Sequence, residues 1–222
     1  MRVLSGIQPT GTVHLGNYFG ALVNWIKLQN EANECFFTIV NQHAITLPQD
    51  PLSLKKNTLS LAAVLLAVGL DPEKSTIFIQ SDVPAHAQLA WVLFNLAPIG
   101  HMERMIQFKE KSQGNADGLN LGLFSYPVLQ SADILLYKAD LVPVGIDQAQ
   151  HLELTRFLAE KFNRTYREVF PIPQTLHTQT TKVVGLDGSA KMSKSKNNYI
   201  GLVEDEAVIW KKLAHAATDP AR

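Results

Sequence analysis

The sequence predicts an α/β fold: a doubly wound parallel sheet with helices on both faces. Three observations carry that expectation. Short β-compatible runs alternate with helix-period segments along the chain, the order of a βαβ protein. One run, 35–40, is apolar without a break, as a strand covered on both faces must be. Turn-forming segments at 8–17, 41–46 and 145–148 follow strand-like runs, at the strand ends where ligands bind in such folds.

The elements follow in order. Residues 2–7 form a short strand stopped by Gly6 and Pro9. Tyr18, Leu22, Trp25 and Ile26 recur at helical spacing, predicting a helix over 17–30. Strand 35–40 comes next. Asp50 followed by Pro51 signals a capped helix start, and Gly69 its end, giving a helix to Val68. Residues 75–80 are another short apolar run. Helices are expected over 85–96 and 102–111, with Pro98-Ile99-Gly100 between them. The glycine-rich stretch 114–122 reads as a loop, and 126–138 as a helix. Leu141-Val142-Pro143-Val144 reads as a strand ending at Gly145, with Asp147 as cap of a helix over 148–163. Residues 171–197 are loop-like, with at most a short strand at 182–184, and 204–216 form a last helix.

Composition narrows the class. The chain has 222 residues, 46% hydrophobic and 18% charged, a globular profile with enough chain for a full core. Lys plus Arg and Asp plus Glu are 20 each, so no net basic field marks a nucleic-acid binder. The one cysteine, Cys35, excludes an internal disulfide and a Cys-based zinc site and suits a reducing, cytoplasmic setting. No apolar stretch reaches the roughly 20 residues of a membrane span, and the N-terminus lacks an apolar signal core.

Two segments carry chemistry. Pro9-Thr10-Gly11-Thr12-Val13-His14-Leu15-Gly16-Asn17 lies between a strand and a helix. A glycine at a helix start admits a ligand to the backbone, and the free N–H groups there favour a phosphate. Alone, the segment equally suits an ordinary capped turn. Lys191-Met192-Ser193-Lys194-Ser195-Lys196 offers ammonium groups beside hydroxyls, suited to a polyphosphate. From charge alone, a solvated basic loop is the better reading.

Together the two resemble a class I aminoacyl-tRNA synthetase. His14-Leu15-Gly16-Asn17 is similar to that class's His-Ile-Gly-His signature with Asn last, and 191–195 matches its Lys-Met-Ser-Lys-Ser loop. Ser5-Gly6-Ile7-Gln8-Pro9, Asn41-Gln42-His43-Ala44-Ile45-Thr46, Gln107-Phe108-Lys109-Glu110-Lys111-Ser112, Ser131-Ala132-Asp133-Ile134-Leu135-Leu136-Tyr137 and Val142-Pro143-Val144-Gly145-Ile146-Asp147-Gln148 resemble the bacterial or organellar tryptophanyl-tRNA synthetase family. The resemblance runs the length of the chain.

The resemblance implies an enzyme that joins L-tryptophan to ATP, giving tryptophanyl-adenylate and pyrophosphate, and then charges tRNA(Trp). It implies an ATP site at Gln8, Pro9, Thr10, His14, Gly16 and Asn17, with Gly145, Ile146, Asp147 and Val183 near ribose and adenine. Lys191, Met192, Ser193, Lys194 and Ser195 would close over the pyrophosphate and Lys111 would reach it from the other side. The lysines at 109, 111, 191, 194 and 196 then form a local basic site that global neutrality hides. Mg²⁺ is expected through ATP phosphates and water, with no protein ligand set.

Asp133 is the implied indole acceptor. An indole N–H only donates, and a buried carboxylate left unpaired by other ligands discriminates against them. Tyr126, Val40, Val142 and Val144 are candidate walls, and His43, Gln148 and Gln8 candidate polar contacts. Leu4 and Gln130 replace the aromatic and Met residues common in relatives. Residues 1–200 would be the catalytic domain and 201–222 the start of a helical anticodon-binding region cut short at Arg222. A homodimer is implied too; the apolar helix 59–68 could support it and could equally be core. Two other readings stay open on the residues alone: another adenylyl-transferring enzyme of the same fold, or a non-catalytic binding module derived from a synthetase.

Overall fold

The computed structural model describes residues 1–31, 33–105, 120–145, 148–177 and 183–218. Five strands form one parallel sheet: β1 (Arg2–Ile7), β2 (Glu34–Ile39), β3 (Ser75–Ile79), β4 (Leu141–Val144) and β5 (Gln174–His177). Their spatial order is β3-β2-β1-β4-β5. The chain winds outward from β1 to one edge, then returns to build the other side. The order reverses between β1 and β4, and a crevice opens there beyond the carboxyl ends of the strands.

Strand alternation explains how both faces are covered. Val3 and Leu4 point to opposite sides of β1 and are both buried. Val3 joins Leu22, Trp25, Phe37, Leu61 and Leu65, the core under α2 (Val23–Asn30) and α4 (Pro51–Ala67). There the Trp25 and Phe37 rings stack at 4.7 Å with 7° between planes. Leu4 joins Ile134, Val142 and Leu152, under α7 (Leu121–Leu136) and α8 (Ala149–Thr165). Ala90 and Leu93 of α5 (Ala85–Phe94) extend the core with Leu135 and Leu158. Each fully buried large apolar side chain contributes about 1.5–3 kcal/mol.

Several boundaries differ from expectation for local reasons. The first helix begins earlier, as α1 (Leu15–Asn17), passes through a π turn (Tyr18–Leu22) and continues as α2. Gly20 and Ala21 of that turn face the crevice, where such turns are frequent. The Asp50 cap forms as read, its carboxylate accepting from Ser53 N at 2.8 Å. A short α3 (Asn41–Ala44) follows β2. The helix expected from residue 102 starts earlier, as α6 (Ile99–Glu103), because Pro98 is its extended N-cap rather than part of a break. The helix expected from 126 starts at Leu121, because the Asn120 side chain accepts from Leu123 N at 2.8 Å. Gly122 therefore lies inside the helix and not in a loop.

The stretch 171–197 is not all loop. Residues 174–177 form β5, paired in parallel with β4 from Leu141↔Gln174 to Val144↔His177. Of the strand expected at 182–184, residue 182 lies outside the described residues, and Val184 makes an isolated antiparallel bridge to Lys191. The last helix is α9 (Glu206–Ala214). No helix among the described residues is long and apolar enough to cross a membrane.

Candidate active site

The β1–β4 crevice holds a pocket of about 360 Å³, within the range of small-molecule sites. β1 and its exit supply Leu4, Ser5, Gly6 and Gln8, and β4 and its exit supply Val142, Pro143, Val144 and Gly145. Val40 and His43 come from the end of β2 and from α3. Tyr126, Gln130 and Asp133 project from α7, and Gln148 from the start of α8. All the expected tryptophan contacts thus line one cavity, together with Leu4 and Gln130.

Asp133 is 3% exposed, and three side chains donate to it. Its Oδ2 accepts from His43 Nε2 at 2.7 Å and its Oδ1 from His86 Nδ1 at 2.6 Å. Gln80 Nε2 lies 2.9 and 3.0 Å from the two oxygens. Burial opposes ionisation of Asp133, but the hydrogen bonds from His43 and His86 outweigh it and hold the carboxyl below its ordinary value. Gln80 and His86 are fully buried behind the carboxylate, and Gln80 Oε1 is itself held by Gln42 N at 3.1 Å.

The other polar groups are arranged around this carboxylate. Tyr126 OH is 3.0 Å from His151 Nε2, and burial pushes the Tyr126 phenol up to about 12, so it stays protonated. Gln130 Nε2 donates to Gln148 Oε1 at 3.3 Å. Thr38 also lines the cavity, and its buried Oγ1 has no hydrogen-bond partner among the described residues.

The second part of the site lies above β1. His14 N donates to Asn17 Oδ1 at 3.1 Å and fixes the start of α1. Gly16 is needed for steric reasons: a Cβ there would meet the His14 ring at 2.9 Å. The late loop packs onto this turn. His14 bridges Gly201, and Leu15 N donates to Ile200 O at 3.0 Å. Lys194 Nζ donates to Thr10 O. Burial and the charges of Lys194 and Lys191 lower the His14 pKa and keep its imidazole neutral, and burial lowers that of Lys194.

The 191–195 loop is shaped from within. Met192 N donates to Val183 O at 2.9 Å. The buried Asn198 accepts from Ser193 N through Oδ1 at 2.8 Å and donates to Asp187 Oδ2 at 2.8 Å. Ser193 and Ser195 hydroxyls lie 3.3 Å apart. Among the expected ATP contacts, the structure brings Thr10, His14, Gly16 and Met192 together with Lys194. Lys109, Lys111, Ile146 and Asp147 lie outside the described residues.

Gln80, His86, Tyr137, Thr38 and Asn198 are site residues that sequence reasoning missed. Gln80 carried a usable signal, since it directly follows a strand and strand ends converge on the crevice. His86 carried none, being one of two polar residues, with Gln88, in an otherwise apolar helix.

A 3-2-1-4-5 parallel sheet, a basic loop on the first strand–helix turn and a crevice pocket of mixed polar and apolar lining with a buried acid define a nucleotide-using enzyme of Rossmann-like architecture. Comparison with known proteins makes this specific. The family model for tRNA synthetases class I (W and Y) matches residues 1–222. Tryptophan–tRNA ligases of Bacillus anthracis and Bacillus subtilis are 52% and 54% identical, each over 98% of this chain and 67% of their own length. A tryptophanyl-tRNA synthetase from Campylobacter jejuni, solved with ADP and tryptophan, superposes with a TM-score of 0.92 at 43% identity, covering 99% of this chain and 68% of that one. The chain belongs to the class I tRNA synthetases of the tryptophan and tyrosine group, and within it to the tryptophan–tRNA ligases.

Proposed function

We propose that the β1–β4 pocket takes the side chain of L-tryptophan and that the turn 8–17 and the 191–195 loop take ATP. Gln8 and Gly145 line the pocket and belong on this reading to the ATP site as well, which would let the substrate carboxylate meet the α-phosphorus. A carboxylate oxygen bonds to that phosphorus while its bond to the pyrophosphate oxygen breaks. Tryptophanyl-adenylate and pyrophosphate result, and the tryptophanyl group then passes to tRNA(Trp). The reaction needs no protein nucleophile; positioning and charge stabilisation suffice.

The observation that carries this reading is Asp133, a buried carboxylate held below its ordinary pKa in a pocket walled by Val40, Tyr126, Ile134, Val142 and Val144. It accepts the indole N–H, and a side chain without that donor leaves it unpaired. Tyr126, Val40, Val142 and Val144 enclose the ring, and Gln8 and Gln148 hold the polar end; His43, expected there too, instead donates to Asp133 at the indole end. Gln8, Pro9, Thr10, His14, Gly16 and Asn17 line the phosphate path, and Gly145, Ile146, Asp147 and Val183 the nucleoside. Lys191, Met192, Ser193, Lys194 and Ser195, with Lys111, stabilise the departing pyrophosphate.

On this reading Mg²⁺ enters on the ATP phosphates and water. The same reading makes residues 1–200 the catalytic domain and 201–222 the start of a helical region, in a cytoplasmic enzyme. A homodimer fits the exposed apolar residues Leu59 and Leu66 of α4 and Trp91 of α5. Tryptophan-dependent ATP–pyrophosphate exchange, followed by tRNA charging, tests the assignment. No exchange with tryptophan, or equal exchange with tyrosine, rejects it.

A further inference from the structure

We propose that His86, backed by Tyr137, is a positioning residue that fixes the charge and aim of the Asp133 carboxylate and so helps set indole specificity. This rests on the reading of Asp133 as indole acceptor. Three residues donate to that carboxylate, but only His43 shares the pocket wall. His86 and Gln80 approach from behind, and both are fully buried. They can hold the carboxylate without touching the substrate.

The hydrogen-bond polarity is determined by chemistry. An ionised carboxylate only accepts, so His86 Nδ1 carries the hydrogen. In a neutral imidazole Nε2 then holds a lone pair, and Tyr137 OH, 2.9 Å away, donates to it. The opposite tautomer would set a lone pair against Asp133 Oδ1 at 2.6 Å. Asp133 thus fixes the tautomer, and Tyr137 completes it by donating to the Nε2 lone pair. Burial, and secondarily the Asp133 charge, push the Tyr137 phenol up to about 12, so it remains a donor.

The packing supports the same role. Asp133 and Tyr137 are four residues apart at the end of α7 and share one face. The His86 ring on α5 sits against that face, with centroids 5.4 Å from Tyr137 and 5.9 Å from Phe78. Loss of His86 leaves Oδ1 with Gln80 alone, in a site where burial already opposes ionisation. A neutral or rotated carboxyl no longer distinguishes an indole N–H from an apolar edge.

The test compares His86→Leu, His86→Asn and Tyr137→Phe in the whole protein by tryptophan-dependent ATP–pyrophosphate exchange. Each is run with tryptophan and with the analogue whose indole N–H is replaced by sulfur. In His86→Leu the tryptophan KM rises about tenfold or more, the ATP KM is unchanged, and preference over the analogue falls by a similar factor. His86→Asn, whose amide can donate near the Nδ1 position, recovers most of that preference. Tyr137→Phe shifts it in the same direction by less. Unchanged preference in His86→Leu overturns the inference, as does joint loss of both substrates with a lowered Tm. If His86→Leu fails to fold, unchanged preference in Tyr137→Phe overturns it. Asp133→Ala separates the two levels: if it abolishes preference while the His86 and Tyr137 variants keep it, only the positioning role fails. If it keeps preference, the reading of Asp133 itself fails.

Discussion

Lys194 Nζ donates to the carbonyl oxygen of Thr10, 184 positions earlier in the chain. The contact ties the late basic loop to the turn that follows β1. It places the ammonium against the backbone on which the ATP phosphates are proposed to lie. Lys194→Ala should therefore slow adenylate formation, by about a hundredfold if it acts as one transition-state donor. Tryptophan affinity should stay nearly unchanged. Single-turnover kinetics beside calorimetry checks this; equal losses in both would reject the role.

Asp133 leads to a prediction of the opposite kind. Asp133→Ala removes the acceptor and leaves His43, Gln80 and His86 without their shared partner. Tryptophan should bind about a hundredfold more weakly, as sites built on a buried hydrogen bond do when it is lost. ATP affinity should change far less. Intact tryptophan binding by calorimetry would show that the indole is recognised elsewhere.

The acid limb of stability has a definite sign. The folded carboxyl of Asp133 sits below its ordinary value, so the folded state binds this proton more weakly than the unfolded chain. Its contribution is complete above about pH 3.9 and disappears as the pH falls through the lower folded value. In acid titrations followed by circular dichroism, the wild type should lose stability more steeply than Asp133→Asn below about pH 4. Parallel curves would mean that the hydrogen-bonded carboxylate adds no stability of its own.

Asn198 holds the lysine loop through Ser193 N and Asp187 Oδ2. Asn198→Ala removes both bonds and with them the buried brace that shapes the loop. The KM for ATP should rise several-fold while that for tryptophan holds. A matched rise in both constants would place the effect in the whole fold instead.

Cys35 is 2% exposed, and burial pushes its thiol up to about 11. It should resist iodoacetamide at pH 8 in the native protein and react once urea unfolds the sheet. Fast labelling without denaturant would mean that β2 opens locally.

The legible part of the fold is the part encoded at short range. The buried run around Phe37, the Asp50 cap and the helical spacing of Leu22, Trp25 and Ile26 are all local patterns, and the structure realises each of them. β5 was not legible, because Gln174 to His177 has no strand period of its own. It is a strand through its pairing with β4. Likewise Pro98 and Asn120 act as caps only because the chain takes extended backbone there, which decides the helix starts.

By itself, the sequence determined the class of the protein. It carried two phosphate-suited segments, a parallel-sheet pattern and an acid within an apolar helix, each readable within a few residues. Only the tertiary structure decided what surrounds that acid. The Asp133 bonds reach 90 positions back to His43, 53 to Gln80 and 47 to His86, and His86 meets Tyr137 across 51. A buried carboxylate keeps its charge only if donors surround it. Donors drawn from separate elements leave no periodic trace, because sheet winding and helix packing bring them together.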